Sequence, residues 1–120
     1  MPDLFDVVEL TVDIPEHGLY AGQQGTVVER HSDEACEVEF TDEQGETLAM
    51  LALRQHQFVV VWRAIAGAWV PLAERVAALV AALPEDTGQE ALDYVRFLHE
   101  RRRRSHRVSG STAAMPGRAA

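Results

Sequence analysis

Apolar and polar positions alternate through the first half of the chain and then change period. Val8, Leu10 and Val12 alternate with Glu9 and Thr11, the spacing of a strand with one buried face. Thr26-Val27-Val28-Glu29 is β-branched and predicts a second strand. Cys36, Val38 and Phe40 alternate with Glu37, Glu39 and Thr41, the clearest strand signal in the chain. Leu48, Met50 and Ala52 predict a fourth strand and Phe58 to Trp62 a fifth, with a single tight turn over Leu53–Gln57. Pro15, Gly18, Gly22 and Gly25 mark a long early loop, His31 to Glu34 a polar turn, and Asp42-Glu43-Gln44-Gly45 a hairpin turn with Gly45 suited to positive φ.

Beyond a connector at Arg63 to Val70 the period becomes helical. Pro71 fits the first turn of a helix, and Leu72, Val76, Leu79, Val80 and Leu83 follow along one face. Pro84-Glu85-Asp86 is read as its end. Thr87-Gly88-Gln89-Glu90 has capping-box spacing, which puts Thr87 at the start of a second helix. Leu92, Val95 and Leu98, widened by Ala91, Tyr94 and Phe97, form its stripe, and Arg101–Arg104 suit the negative end of its dipole.

The expected fold class is therefore α+β. A small five-stranded SH3-like β-barrel occupies 1–62, a connector 63–70, a two-helix antiparallel hairpin 71–104 and a disordered tail 105–120. Barrel closure limits exposed edges. A hairpin of two amphipathic helices cannot bury both stripes alone, so its apolar face needs the barrel, a second copy or another protein.

Charge divides along the same line. Residues 1–62 carry thirteen acids against Arg30 and Arg54, whereas residues 63–120 carry six acids against nine arginines, for a net charge of −8. The acidic half repels phosphate backbones, and the arginine-rich end suits nucleic acid or an acidic protein surface. Cys36 is the only cysteine, so the chain forms no internal disulfide and no thiolate metal cluster. The opening Met-Pro-Asp-Leu-Phe-Asp has neither the basic flank nor the apolar core of a signal peptide. The longest uncharged run in the apolar region Phe58–Leu83, Ala64 to Ala73, is half the ~20 residues of a spanning helix. A cytoplasmic location without membrane contact is the expectation.

Two resemblances add to this reading. The segment Asp6-Val-Val-Glu-Leu-Thr-Val-Asp-Ile-Pro-Glu-His-Gly-Leu-Tyr-Ala-Gly-Gln-Gln-Gly-Thr-Val-Val-Glu29, followed by Glu37-Val-Glu-Phe-Thr-Asp-Glu-Gln-Gly-Glu-Thr47, resembles a family of small bacterial domains of unknown function. That resemblance implies an SH3-like fold and brings no catalytic residues. Leu79-x-x-x-Leu83-Pro-Glu, continuing through Gln89-Glu-Ala-Leu-Asp-Tyr-Val-x-Phe-Leu98, is similar to a helical motif of small bacterial proteins described as antitoxin-like.

Candidate chemistry is sparse. The spacing Gly18-x-x-x-Gly22-x-x-Gly25 lacks the Lys-Ser/Thr of a P-loop and reads as turn formation. The five histidines show no i, i+4 pair, Glu37 and Glu39 read as a solvated strand face, and Cys36 shares the inward phase of Val38 and Phe40. No nucleophile, base and orienter can be assembled, so no enzyme activity, cofactor, metal or small-molecule substrate is expected. The leading expectation is a non-catalytic protein-interaction module, antitoxin-like or regulatory. It binds a partner or itself through Leu79, Leu83, Tyr94, Phe97 and Leu98. The alternative is nucleic-acid binding through Arg101, Arg102, Arg103, Arg104 and Arg107, which without interleaved aromatics would grip phosphates with little sequence choice.

Overall fold

A computed structural model describes residues 1–113. Its strands are β1 (Val7–Leu10), β2 (Gln24–Arg30), β3 (Ala35–Thr41), β4 (Thr47–Arg54), β5 (Phe58–Arg63) and β6 (Ala68–Trp69). Its helices are α1 (Leu72–Ala81) and α2 (Glu85–Ala113). The class is α+β. The chain divides into two compact units, one spanning Met1–Ala82 and the other beginning at Leu83.

In the first unit the strands form one antiparallel sheet in the order β4-β3-β2-β1-β5-β6. The expected closure into a five-stranded barrel gives way to an open six-stranded sheet with β4 and β6 at its edges. The reason lies in the segment read as a connector. Gly67 takes φ 61 and its N–H reaches the Ala64 carbonyl at 3.1 Å. That tight turn pairs Trp62 with Trp69 and Arg63 with Ala68, so β6 takes the free edge of β5.

Val8, Leu10, Val27, Cys36, Val38, Phe40, Leu53 and Phe58 bury their side chains together as the core. Ile14 and Leu19 join them from the β1–β2 loop, which is built to deliver them. A short 3₁₀ turn at Pro15–His17 ends on Gly18 at φ 68, and Ile14 and Leu19 then bridge. The Asp13 carboxylate accepts the Ala21 N–H at 2.9 Å, and Gly22, at φ 99, donates to the Leu10 carbonyl. The glycine-and-proline pattern is thus a loop scaffold. Gly25 differs from the other glycines of the motif: it lies within β2, and a Cβ there would meet Val38 Cγ1 at 2.7 Å and the Glu39 carbonyl at 2.9 Å.

Strand β4 corrects the expected phase. Val38 faces Leu51 and Cys36 faces Leu53, which places Ala49, Leu51 and Leu53 on the core side. Leu48 and Met50 point to solvent, at 54% and 50% exposure.

Helix α1 packs on β5, with Arg75 Nε donating to the Val70 carbonyl at 2.8 Å. It therefore belongs to the first unit, whereas α2 lies in the second, so the two helices of the expected 71–104 hairpin are described separately. Helix α2 also starts earlier than the capping-box reading placed it. The Pro84 carbonyl accepts the Gly88 N–H at 2.8 Å, which seats Glu85 and Asp86 in the first turn and Thr87 inside the helix. Two acids beside the positive end of the dipole favour that start. The helix continues past Arg104 to Ala113, and residues 114–120 of the segment read as a tail lie outside the described residues.

Candidate contact surface

The residues singled out as contacts fall on both units. Leu79 lies on α1 in the first, 36% exposed, and Leu83 opens the second. Tyr94, Phe97 and Leu98 lie on α2, where glutamate, alanine, leucine and arginine suit the helix. Tyr94 is 59% and Phe97 44% exposed, and Leu98 is half-buried. No described residue of α1 or of α2 through Ser105 is buried.

Helical spacing brings Tyr94 and Phe97 together. Their ring centroids stand 6.0 Å apart with 30° between the planes, and the Arg101 guanidinium carbon lies 6.0 Å from the Phe97 centroid. This row combines two rings and a cation in one amphipathic surface, a composition enriched among the residues that carry protein contact energy. Arg96 pairs with Asp93 at 3.4 Å and Arg104 with Glu100 at 3.5 Å, so part of the local charge is matched within the helix.

The arginine cluster looks different on a helix than in a sequence. Consecutive helical residues turn by about 100°, so Arg101 and Arg104 share a side of the helix while Arg102 and Arg103 point away from it. They do not form one basic face. The side chain of Arg107 lies outside the described residues.

Within the first unit, several groups make contacts that the alternation of the strands does not announce. Asp6 is 0% exposed and binds two main-chain donors, the Asp3 N–H at 2.9 Å and the Ala64 N–H at 2.8 Å. Arg63 stands 3.8 Å from the same carboxylate. Asp6 thereby ties the N-terminal segment to the β5–β6 turn. Phe5, next to it, holds φ 71, a left-handed conformation rare for an aromatic residue, and donates its N–H to the Val27 carbonyl at 2.7 Å.

His31 bridges two acids brought opposite each other by β2 and β3. It contacts Glu37 at 2.6 Å and Glu29 at 3.9 Å. The hydrogen bond to Glu37, helped by both negative charges, raises the His31 pKa above 6.5. Burial pushes the Cys36 thiol up, which fits an inert core position. Glu39 accepts from the Thr47 hydroxyl, on the solvent face with Glu37.

A cavity of about 350 Å³ lies between α1, β5 and the N-terminal residues. Phe58, Val60 and Val70 line it, with Arg63 and Glu74 as its charged groups. Arg63 is already paired with Asp6. Among the described residues, no three His, Cys, Asp or Glu side chains converge as a metal site requires, and no helix is long and apolar enough to cross a membrane.

No curated protein and no solved structure matches the chain. Residues 4–60, from the loop before β1 into β5, match the model of a family described as Domain of unknown function (DUF4926), which supports a domain of unknown function in the N-terminal segment.

Proposed function

We propose that the chain is a non-catalytic protein-interaction module, antitoxin-like or regulatory in role, whose contact surface is carried by its helical second half. The observation that carries this reading is the exposed aromatic row on α2, Tyr94 and Phe97 with Arg101 over the second ring. Aromatic area left in water is a standing free-energy cost, about 25 cal/mol per Å², that a partner surface removes. The first half acts as an SH3-like supporting module. Its strand order, with β1 between β2 and β5 and a 3₁₀ turn before β5, supports that description. Gly18, Gly22 and Asp13 shape the β1–β2 loop.

Direct protein contact is favoured over nucleic acid by the placement of the arginines. Arg101 is engaged with Phe97 and Arg104 with Glu100, and the four do not share one face. The test is native mass spectrometry on full-length chain purified gently from cells that express it, beside the Tyr94→Glu/Phe97→Glu variant. The expected result is a stoichiometric complex, with itself or with another protein, that the variant loses. A wild-type chain that forms no complex of either kind overturns the reading.

A further inference from the structure

The aromatic row is the middle of a longer pattern. Asp86, Glu90, Tyr94, Phe97, Arg101 and Arg104 are spaced by four, four, three, four and three residues, which keeps all six on one side of α2. All six are exposed. The row carries acids at its start, aromatic rings at its centre and arginines at its end. The helix as a whole follows suit: Glu85, Asp86, Glu90 and Asp93 precede any base, and five of the six charges from Arg96 to Arg104 are arginines.

Such a row is complementary to itself when reversed. An antiparallel two-fold pair centred between Val95 and Arg96 sets Tyr94 against the second copy's Phe97 and Glu90 against its Arg101, and brings Asp86 within one residue, about 1.5 Å along the axis, of its Arg104. Two-fold symmetry makes each of these contacts twice. A parallel pair would set acids against acids and arginines against arginines. Glu90 and Arg101 are the informative positions, because among the described residues neither forms an ion pair within the chain. They stand 11 residues apart on one helix, about 16 Å, so they do not reach each other.

We propose that the occupant of this surface is a second copy of the chain, docked through α2 in antiparallel orientation. The proposal rests on the interaction-module reading and names its partner.

Sedimentation velocity of the full-length chain over a concentration series tests it, using wild type, Glu90→Arg, Arg101→Glu and an equimolar mixture of the two variants. Wild type is expected to dimerise. Each reversal alone sets two like-charged pairs face to face and weakens the dimer by at least about tenfold. The mixture is expected to recover it, because one variant then has two arginines where the other has two glutamates. That recovery also shows that both variants are folded.

A wild-type dimer that tolerates either reversal assembles elsewhere and overturns the proposal. So does a mixture that stays dissociated. A wild-type chain that is monomeric throughout overturns it too, and a different protein held through Tyr94 and Phe97 would then leave the broader reading standing.

Discussion

Asp6 joins two parts of the first unit that are 58 residues apart in sequence, and its removal has a calculable cost. The carboxylate is wholly buried and accepts the Asp3 and Ala64 N–H groups at 2.9 and 2.8 Å. Hydrogen bonds to a charged group contribute about 1.5–3 kcal/mol each, and both donors are only part-buried, which lowers the sum because water replaces some of the loss. The Arg63 guanidinium is half exposed, so its pairing adds little. Asp6→Ala should therefore destabilise the first unit by about 2–4 kcal/mol, with roughly 10–20 °C lost from Tm for a unit of this size. Asp3→Ala is the matched control, since its side chain is half exposed and reaches Arg30 only at 4.0 Å, and should stay within about 0.5 kcal/mol of wild type. Urea unfolding followed by tryptophan fluorescence reads both, because Trp62 and Trp69 lie in this unit. The Ala64 amide should also exchange with solvent faster in Asp6→Ala. Equal stability of the two variants would refute the assignment of Asp6 as the tie between the N-terminal segment and the β5–β6 turn.

Three further outcomes follow from single positions. Gly25→Ala puts a Cβ into backbone and core at under 3.0 Å and should cost about 1–3 kcal/mol by urea melts; an unchanged midpoint would show that β2 and β3 pack less closely. Met50→Lys should leave stability within about 0.5 kcal/mol, whereas Leu51→Lys drives a charge toward the core and should cost at least about 2 kcal/mol; the reverse order would restore the other phase of β4. For His31, the raised pKa means the folded state holds its proton more tightly than the unfolded chain. The contact with Glu37 therefore stabilises below pH 6.5, and that contribution fades as pH rises through the folded-state value. An NMR titration should find the His31 midpoint above 6.5 in wild type and shifted back down in Glu37→Gln, and equal midpoints would remove Glu37 as the cause.

How far the sequence reveals this fold depends on how many readings each segment allows. In β3, Cys36, Val38 and Phe40 are flanked by glutamates, so only one face can be buried, and alternation suffices. In β4, Leu48, Met50 and Ala52 compete with Ala49, Leu51 and Leu53; both phases are apolar, and pairing with β3 decides between them. β6 is two residues long and exists only because Gly67 turns the chain back on β5, which no local pattern announces. Thr87 has the spacing of a cap, yet Pro84 and the acids after it start the helix three residues sooner. Asp6 is one acid among thirteen in its half; it opens the Asp6–Glu29 segment, but its partners are main-chain groups, so no side-chain pattern reveals its role. The proximity of Tyr94 and Phe97 is legible because helical spacing makes neighbours of residues three and four apart. The acidic start of the same row becomes visible only once the helix is known to begin at Glu85.

Hydrogen exchange on the full-length chain, measured by mass spectrometry at a dilute and a concentrated condition and again with any stoichiometric partner, locates the contact surface itself. Peptides spanning residues 86–104 should gain protection on association, while the sheet, including the exposed edge of β4, exchanges as before. Protection gained on β4, or no gain anywhere along α2, would contradict the assignment of the helical second half as the binding surface.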